Sequence, residues 1–543
     1  MVGEVDTMRL RIKLSQKGWI YPLVITVAGF CYYISFYNYG INLGDEGYIV
    51  YGSARVLRGQ LPVSDFMSYP PGSYFLLAIF FKLFGESLLV SRFMEMTFLV
   101  IDGILTFYIG KRLMPERWAL VPSFILIAFP GFWHKVFLTF SLLLPLVMLL
   151  RFLERRTMVR ILGVGWAVGM ALVFRIEAAL FSSITILAVL FCYHIWKDGV
   201  FLINREALSG FLKELTLCGL AALSILTPVL IYYHYQSDLG RFFHSLREGY
   251  GSSNIAWTGD FFEKPSLLRI ITKFRIGKNL FFFLTAVLYL YFSGKAVVHF
   301  FIEKRKDFPL FIPILFLGVL CLIYPYIAFS NAHLLQVAAM SYVLFSLLIY
   351  SIWQRKGLKS RTCSIFLILL LCLYLFDNFK WRSHFASGSI SRLYRMRVEG
   401  ARLISSHKAN IYVENKNFDA TDGLIRFFEG KNGYLLPLTF ESMVNFLTGL
   451  ENPTRHTILT PPLLQSVAQQ REVIGDIERY KIKYLLIMKP IWEGRESLGF
   501  RVYAPLIYEF VSEHYQLEKE VGYFLIFSRQ SFQNGMIQGG AER

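Results

Sequence analysis

Long apolar runs recur along the first two-thirds of the chain, and they constrain its fold more than any other feature. An α-helix rises 1.5 Å per residue, so about 20 apolar residues cross a hydrocarbon core of roughly 30 Å. Eleven runs near this length predict a polytopic α-helical membrane domain over residues 1–379. They lie near residues 19–39, 88–110, 118–133, 136–153, 161–175, 178–196, 216–235, 279–300, 308–329, 334–353 and 362–378.

The composition supports a membrane protein and excludes several other classes. Hydrophobic residues make up 55% of the 543 residues and charged residues only 17%, whereas an ordinary soluble domain has roughly 25% charged residues. Disordered, collagen-like and coiled-coil chains are excluded, as is a purely soluble enzyme. None of the six cysteines has zinc-ligand spacing, which argues against a metal-thiolate site or a disulfide framework.

Basic residues indicate the orientation, because Lys and Arg in short loops favour the cytoplasmic side. If the amino terminus is cytoplasmic, the only basic residues in the short outer loops are Lys135 and Arg175. The long outer loop 236–278 is basic in spite of this assignment. We therefore expect a multi-pass protein of the inner (plasma) membrane with an extracytoplasmic carboxyl end. The net charge of +18 then indicates contact with the anionic bilayer, not with nucleic acid.

The sequence beyond Asn378 has a different texture, with short apolar runs separated by charged helical patterns. Strands are predicted at 410–413, 434–436, 484–488 and 523–527, and helices between them, for example at 464–480 and 504–515. Strands that alternate with helices predict an extracytoplasmic α/β domain over residues 380–543, called the tail below. No motif in the tail discloses a chemistry.

Residues 40–87 form the first outer loop, called the acidic loop below. It contains the adjacent carboxylates Asp45 and Glu46, and then Arg55 and Arg58 three residues apart, on one side of a predicted helix. One interpretation is that a carboxylate accepts a proton while the arginines hold a phosphate. The other is that Asp45 caps the helix and Glu46 lies in its first turn, and the local sequence favours this second interpretation.

A second short helix is predicted later in the acidic loop. The segment from Pro70 to Gly85 is apolar, but its roughly 13 helical residues span only about 20 Å, which is too short to cross the bilayer. Proline at the start and glycine just past the end indicate a complete short helix, which we place at the outer interface.

Further polar residues lie at the outer ends of other spans. Arg175 follows the fifth span, His333 lies between the ninth and tenth, and Lys135 follows His134 after the third. Arg92 lies near the outer start of the second span, where we expect it to snorkel to the interface. Each of these residues alone is weak evidence for a functional site. A shared site needs polar groups that converge, and all of these residues lie on the predicted outer side of the membrane.

The chain resembles the GT-C superfamily of membrane glycosyltransferases, in particular bacterial proteins similar to protein O-mannosyltransferases and aminoarabinose transferases. The resemblance begins in the acidic loop, with Gly-Asp-Glu-Gly-Tyr at 44–48, Tyr-Pro-Pro-Gly-Ser-Tyr at 69–74 and Phe-Lys-Leu-Phe-Gly at 81–85. It continues with His-Leu-Leu-Gln at 333–336 and, in the tail, Phe-Leu-Thr-Gly at 446–449 and Asn-Pro-Thr-Arg at 452–455.

This resemblance implies transfer of a sugar from a polyprenyl-phosphate donor to a lipid, glycan or protein acceptor on the outer face. It implies Asp45 as the base, with Glu46 as a second candidate. The leaving phosphate needs cationic partners, for which Arg175 and His333 are the first candidates and Arg55 and Lys135 the next. No cofactor is indicated. A divalent metal is not indicated either, because His134 and Lys135 stand where relatives often have a second acidic residue.

Two other functions stay open. A transporter or flippase needs ionisable residues at mid-membrane on discontinuous helices, whereas the polar residues above cluster at the outer ends. A non-catalytic subunit with the same fold is the third interpretation, and the Asp45–Glu46 pair argues against it.

Overall fold

A computed structural model describes most of the chain. The described residues are 18–197, 199–247, 276–303, 308–323, 331–355, 396–464, 466–489 and 499–530, together with positions 362, 365, 368 and 369. Up to residue 355 the described elements are helices and one short hairpin. The helices are α1 (Ile20–Ile34), α2 (Asp45–Leu57), α3 (Gly72–Phe84), α4 (Leu88–Gly110), α5 (Glu116–Ala128), α6 (Val136–Glu154), α7 (Met158–Phe174), α8 (Ile176–Ile195), α9 (Arg205–Gln236), α10 (Ile276–Val297), α11 (Phe311–Cys321), α12 (Asn331–Gln336) and α13 (Ala339–Trp353). The hairpin pairs β1 (Trp196–Lys197) with β2 (Val200–Phe201).

Helices occupy ten of the eleven predicted apolar runs, and the run at 362–378 lies almost entirely outside the described residues. Within the described ranges, four helices are long and apolar enough to cross a membrane: Trp133–Glu154, Ile176–Ile195, Arg205–Gln236 and Leu284–Ile302. Other apolar helices, such as α1, α7 and α13, are shorter. The number of crossings and the orientation therefore stay predictions.

The short helix α3 lies between the predicted proline and glycine, because backbone chemistry limits it at both ends. Pro71 occupies the N-cap position, and Gly85 ends the helix with a φ of +94°. A positive φ is a conformation that glycine adopts without the steric penalty of a Cβ atom. The helix thus spans 13 residues, and its interfacial position stays a prediction.

The described part of the tail combines strands and helices. A hairpin of β3 (Ala401–Ser405) and β4 (Asn410–Glu414) precedes a four-stranded sheet of order β5-β6-β8-β7. In this sheet β5 (Leu435–Pro437) runs parallel to β6 (Tyr484–Met488), whereas β7 (Tyr515–Val521) and β8 (Phe524–Arg529) pair antiparallel. The helices are α14 (Asn415–Phe428), α15 (Met443–Thr448), α16 (Val467–Arg479), α17 (Phe500–Tyr503) and α18 (Pro505–His514).

Strand β6 shows why helices cover both faces of this sheet. Successive side chains of a strand point to opposite faces. Leu485 and Ile487 pack in one apolar core with residues of α16 and α18. Tyr484 and Leu486 pack in another core with residues of α14. An almost continuous apolar strand, Tyr-Leu-Leu-Ile-Met, is the sequence pattern of a strand buried on both faces.

The hairpin of the tail is bonded directly to the start of the acidic loop. The amide of Gly40 donates to the carbonyl of Tyr412 at 2.7 Å, and the amide of Tyr412 donates to that of Asn38 at 2.8 Å. The rings of Tyr39 and Tyr412 stack with their centroids 4.9 Å apart. The tail therefore packs against the loop that carries the predicted acidic residues.

Candidate active site

Asp45 is the first residue of α2, but its carboxylate does not cap the helix. The Oδ1 atom of Asn42 accepts from the amides of Gly44 and Asp45, each at 3.1 Å, and Gly44 occupies the N-cap position. The interpretation of Asp45 as a helix cap is therefore wrong. Its Oδ2 atom lies instead 3.8 Å from Nε2 of His134, and its side chain is 34% exposed, so solvent can reach it.

Glu46 is buried and forms an ion pair with Arg92. Its Oε1 atom lies 2.7 Å from Nε of Arg92, and its Oε2 atom lies 3.0 Å from Nη2. The guanidinium also donates to the carbonyls of Tyr37 at 2.8 Å and Gly40 at 2.7 Å. The prediction that Arg92 snorkels was wrong, because the buried Glu46 carboxylate and these carbonyls bind its guanidinium inside the protein.

His134 lies at the centre of the charged groups. It occupies a 3₁₀ turn, Trp133–Lys135, ahead of α6, and its ring stacks on Phe132 with centroids 5.2 Å apart. The charges of Asp45, Lys135, Glu46 and Arg175 all lie close enough to act on this ring. The sequence pointed to His134 only as a neighbour of Lys135 at a position where relatives often have an acidic residue, since no local pattern shows that this turn faces Asp45.

Arg175 lies at the junction between α7 and α8, where its extended backbone ends one helix and starts the next. Its guanidinium carbon lies 4.0 Å from the centroid of the Tyr69 ring, which is cation–π geometry. Its Nη1 atom lies 3.5 Å from Oε1 of Glu177. The side chain is buried, so Tyr69 and Glu177 hold the guanidinium in a defined place.

Tyr69 belongs to a group of tyrosines that also includes Tyr48 and Tyr74. The ring of Tyr48 meets that of Tyr69 edge-on at 5.3 Å, and the amide of Tyr69 donates to the Tyr74 hydroxyl at 3.2 Å. Burial, followed by the neighbouring tyrosines, raises the pKa of Tyr48 well above its usual value, although Arg175 acts in the opposite direction. Tyr48 is therefore a neutral hydrogen-bonding group beside the Arg175 cation.

Arg55 is not brought to Asp45. The two residues are ten positions apart on α2, which separates them by about 15 Å along the helix axis. Arg55 is buried, donates from Nη2 to the carbonyl of Thr454 in the tail at 2.9 Å, and lies over the Phe66 ring at 4.5 Å. Arg58 likewise points elsewhere, toward Glu86 at 3.4 Å and Glu451 at 3.3 Å.

His333 has its backbone in α12, but its side chain lies outside the described residues. The end of α12 packs near the turn that carries His134. The carbonyl of Gln336 accepts from Oγ1 of Thr139 at 2.8 Å. A Cβ atom at Gly131 would lie 2.7 Å from Cγ of Gln336, so only glycine fits there without a shift.

The arrangement joins a partly exposed carboxylate to positive charge. Asp45, the turn with His134 and Lys135, and Arg175 come from three separate segments of the chain, and the charges of Asp45, Lys135 and Arg175 all act on the His134 ring. Among the residues that the structure describes, no group of three or more His, Cys, Asp or Glu side chains has the geometry to hold a metal ion. A partly exposed carboxylate can accept a proton, and nearby cations can hold an anion.

Comparisons with known proteins identify the fold. A family model described as dolichyl-phosphate-mannose-protein mannosyltransferase matches residues 68–232. The structure of ArnT from Cupriavidus metallidurans bound to undecaprenyl phosphate aligns with 95% of this chain and 99% of that chain, at 9% identity and a TM-score of 0.52. The chain has the GT-C fold.

Other comparisons agree with the GT-C fold. The apo oligosaccharyltransferase of Archaeoglobus fulgidus aligns with 96% of this chain and 75% of that chain, at 11% identity and a TM-score of 0.51. The resemblance to the GT-C superfamily of membrane glycosyltransferases that the sequence predicted is confirmed. No curated protein sequence matches the chain. The family match includes Tyr69, Lys135 and Arg175 but ends before the tail and begins after Asp45.

Proposed function

We propose that the protein is a membrane glycosyltransferase that moves a sugar from a polyprenyl-phosphate donor to a hydroxyl group of an acceptor on the outer face of the membrane. The observation that carries the proposal is the partly exposed Asp45 carboxylate, 3.8 Å from His134, a ring on which the charges of Lys135 and Arg175 also act. The mannosyltransferase family match and the structural neighbour bound to undecaprenyl phosphate support this class of donor.

In this proposal Asp45 is the general base. The acceptor oxygen bonds to the anomeric carbon, its proton passes to the Asp45 carboxylate, and the bond between the anomeric carbon and the phosphate oxygen breaks. The electron pair of that bond stays on the lipid phosphate, whose charge Arg175 and Lys135 stabilise, with His333 as a further candidate. Glu46 acts through its ion pair with Arg92 by holding the turn that presents Asp45.

The same proposal assigns the two regions of the chain. Residues 1–379 form the membrane domain with a cytoplasmic amino terminus, and residues 380–543 lie outside the cytoplasm over the acidic loop. The acceptor, whether a lipid, a glycan or a protein, approaches from the aqueous side. The contact between the hairpin β3–β4 and the acidic loop supports the tail and this loop lying on one side of the membrane.

Transfer is tested with the full chain reconstituted in vesicles. Polyprenyl-phosphate donors that carry labelled hexoses or pentoses are supplied one at a time, together with the envelope lipids and glycans of a strain that lacks the protein. We expect one donor to release polyprenyl phosphate and label an acceptor. Asp45→Asn is assayed beside the wild type. Its matched control is Asp419→Asn, which alters an exposed carboxylate of the tail. Failure of every donor with the wild-type protein would refute the proposal.

A second candidate function, transport of a lipid-linked substrate, has one observation in its favour. Glu95 and Asp102 lie seven residues apart on one face of α4, both 1% exposed. Among the described residues, no hydrogen-bond partner contacts their carboxyl oxygens. Ionisable residues buried within an apolar helix are typical of substrate or proton pathways. A flipping assay without an acceptor distinguishes this candidate, since a transferase moves no lipid-linked sugar across the vesicle membrane.

A further inference from the structure

One segment of the tail, residues 452–457, is bonded to two separate parts of the acidic loop. This segment, called the brace loop below, begins with the Asn-Pro-Thr-Arg motif. Its first contact is with α2, where the amide of Asn452 donates to the Tyr51 hydroxyl at 2.7 Å. Arg55 donates from Nη2 to the carbonyl of Thr454 at 2.9 Å. Helix α2 is the element whose first residue is Asp45.

The second contact of the brace loop is with residue 67. The amide of Met67 donates to the carbonyl of Arg455 at 2.8 Å, and Oγ1 of Thr457 donates to the carbonyl of Met67 at 3.1 Å. Met67 precedes by two residues Tyr69, the ring on which the Arg175 guanidinium lies. The brace loop therefore holds the helix of the carboxylate and the segment beneath the cation at the same time.

The brace loop is rigid because its own side chains bond its backbone. Oδ1 of Asn452 accepts from the amide of Thr454 at 3.0 Å and from its hydroxyl at 2.9 Å. Nδ2 of Asn452 donates to the carbonyl of His456 at 2.7 Å, and the amide of His456 donates to the Thr454 hydroxyl at 3.1 Å. Asn452 and Thr454 are both buried. Buried hydrogen-bond networks whose members are satisfied specify one conformation.

The tail also contacts the turn of Asp45 itself. The amide of Met443 donates to the carbonyl of Leu43 at 2.9 Å. A Cβ atom on Gly47 would lie 2.3 Å from the Met443 amide nitrogen, so the first turn of α2 lies directly against the tail. Both ends of α2 are thus held by the same region of the chain.

We infer that the brace loop positions Asp45 relative to Tyr69 and Arg175, so that the tail sets the separation between base and phosphate-binding cation. Asn452, Thr454 and Arg55 are positioning residues here, and Arg55 binds the tail in place of the lipid phosphate. The inference rests on the proposed transfer reaction. Displacement of a catalytic group by about 1 Å can lower a rate about 100-fold, so loss of the brace loop should reduce turnover without removing any reacting group.

The test compares substitutions of two buried threonines of the tail. Thr454→Val removes the hydroxyl that bonds Asn452 and His456 but keeps the shape of the side chain, whereas Thr454→Ser keeps the hydroxyl. Thr421→Val is the matched control, because the Thr421 hydroxyl is also buried but bonds only the Asn417 carbonyl of its own helix, at 2.9 Å. Turnover per folded molecule and hydrogen exchange at residues 45–57 and 67–69 are measured on the full chain.

We expect Thr454→Val to lower kcat about 10- to 100-fold with little change in the donor KM, and to speed exchange in both segments while β6 and β8 stay protected. Thr454→Ser should restore turnover. Wild-type kcat in Thr454→Val, or an equal loss in Thr421→Val, would overturn the inference. If Thr454→Val does not accumulate, Arg55→Gln takes its place with the same expected results. Absence of transfer by the wild-type protein would refute the proposed function instead, and hydrogen exchange would still decide whether the brace loop holds both segments.

Discussion

Glu46 and Arg92 form a buried bidentate ion pair, with Oε1 at 2.7 Å from Nε and Oε2 at 3.0 Å from Nη2. The pair joins the first turn of α2 to the start of α4, and Arg92 also binds three backbone carbonyls between residues 37 and 40. Because Asp45 adjoins Glu46, this ion pair anchors the carboxylate that we propose as the base. The neighbouring carboxylates therefore have different environments, since Glu46 is buried and paired whereas Asp45 is partly exposed to solvent.

We predict that Arg92→Met destabilises the protein by about 3–5 kcal/mol, because it leaves the Glu46 charge buried without its partner. Thermal unfolding of the purified full chain in detergent measures this loss. Arg58→Met is the control, since Arg58 pairs with Glu86 at a partly exposed site, where an ion pair contributes at most about 1 kcal/mol. Equal stability of the two variants would contradict a structural role for the Glu46–Arg92 pair.

Asp45→Asn should lower transfer by about 10²–10⁴-fold, because the amide keeps the size of the side chain but cannot accept the proton of the acceptor. Donor binding should not weaken, since the substitution removes only a negative charge, which does not attract the phosphate. The release of polyprenyl phosphate measures turnover, and equilibrium binding of undecaprenyl phosphate measures affinity. Turnover by Asp45→Asn near the wild-type rate would remove the carboxylate from the proposed mechanism.

Substitutions at Arg175 and Tyr69 should act on donor binding. Arg175→Ala removes a charged contact to the phosphate and should weaken donor binding about 10- to 100-fold, because a hydrogen bond to a charged group contributes roughly 1.5–3 kcal/mol. Tyr69→Phe keeps the ring beneath the guanidinium and should bind normally. Tyr69→Leu loses the cation–π contact, which is about 0.5–2 kcal/mol, and should bind more weakly. Identical affinities of Tyr69→Phe and Tyr69→Leu would show that the ring does not hold Arg175 for the donor.

The orientation of the tail is predicted by the odd number of spans and by the basic loops. A reporter that is active only in the cytoplasm should be inactive when it is fused after Asn378. Protease added to intact spheroplasts should cleave the tail. A fusion after Arg155, in a loop assigned to the cytoplasm, is the matched control and should show the reverse behaviour. Protection of the tail from external protease would invert the topology.

The stability of the tail should depend on pH through Glu441. Burial raises the pKa of this carboxyl to about 7, although hydrogen bonds from Thr439 and the backbone lower it. The folded chain therefore holds this proton more tightly than the unfolded chain, whose Glu pKa is about 4.3. Below pH 4.3 this difference in proton binding contributes about 3 kcal/mol to the free energy of unfolding. The contribution is lost as the pH rises to 7.

Glu441→Gln has no proton to lose, so its melting temperature relative to wild type should rise between pH 4.5 and 7. Comparison of the two proteins at each pH removes the effect of the other titrating groups. Parallel melting curves over this range would show that Glu441 titrates as it does in the unfolded chain.

Much of the helical region was predictable because its signal is local. An apolar run of about 20 residues forms a helix wherever it meets lipid or an apolar core, and the predicted run 88–110 has the bounds of α4. In the tail, the strand at 484–488 was also predictable, whereas β7 was not, because its exposed, charged sequence Gln-Leu-Glu-Lys-Glu has no apolar alternation. The hydrogen bonds to β8 make this segment a strand although its local sequence pattern does not predict one.

The site itself was only partly predictable. The sequence identified Asp45, Arg175 and Lys135 as candidates, because ionisable residues beside apolar spans are rare and need a reason. It did not reveal that Arg92 pairs with Glu46 or that Arg55 binds Thr454, since these partners are 46 and 399 positions apart. His134 likewise gains significance only from the 3.8 Å distance to Asp45.

By itself, the sequence determined that this chain is helical and apolar, where most helices lie, and which superfamily it resembles, because composition, periodicity and short motifs are properties of neighbouring residues. Only the tertiary structure decided which of two adjacent carboxylates is buried and which is open, and which arginines face the site. Those outcomes depend on long-range packing, since a buried charge must find its partner wherever the folded chain brings one, however distant in sequence.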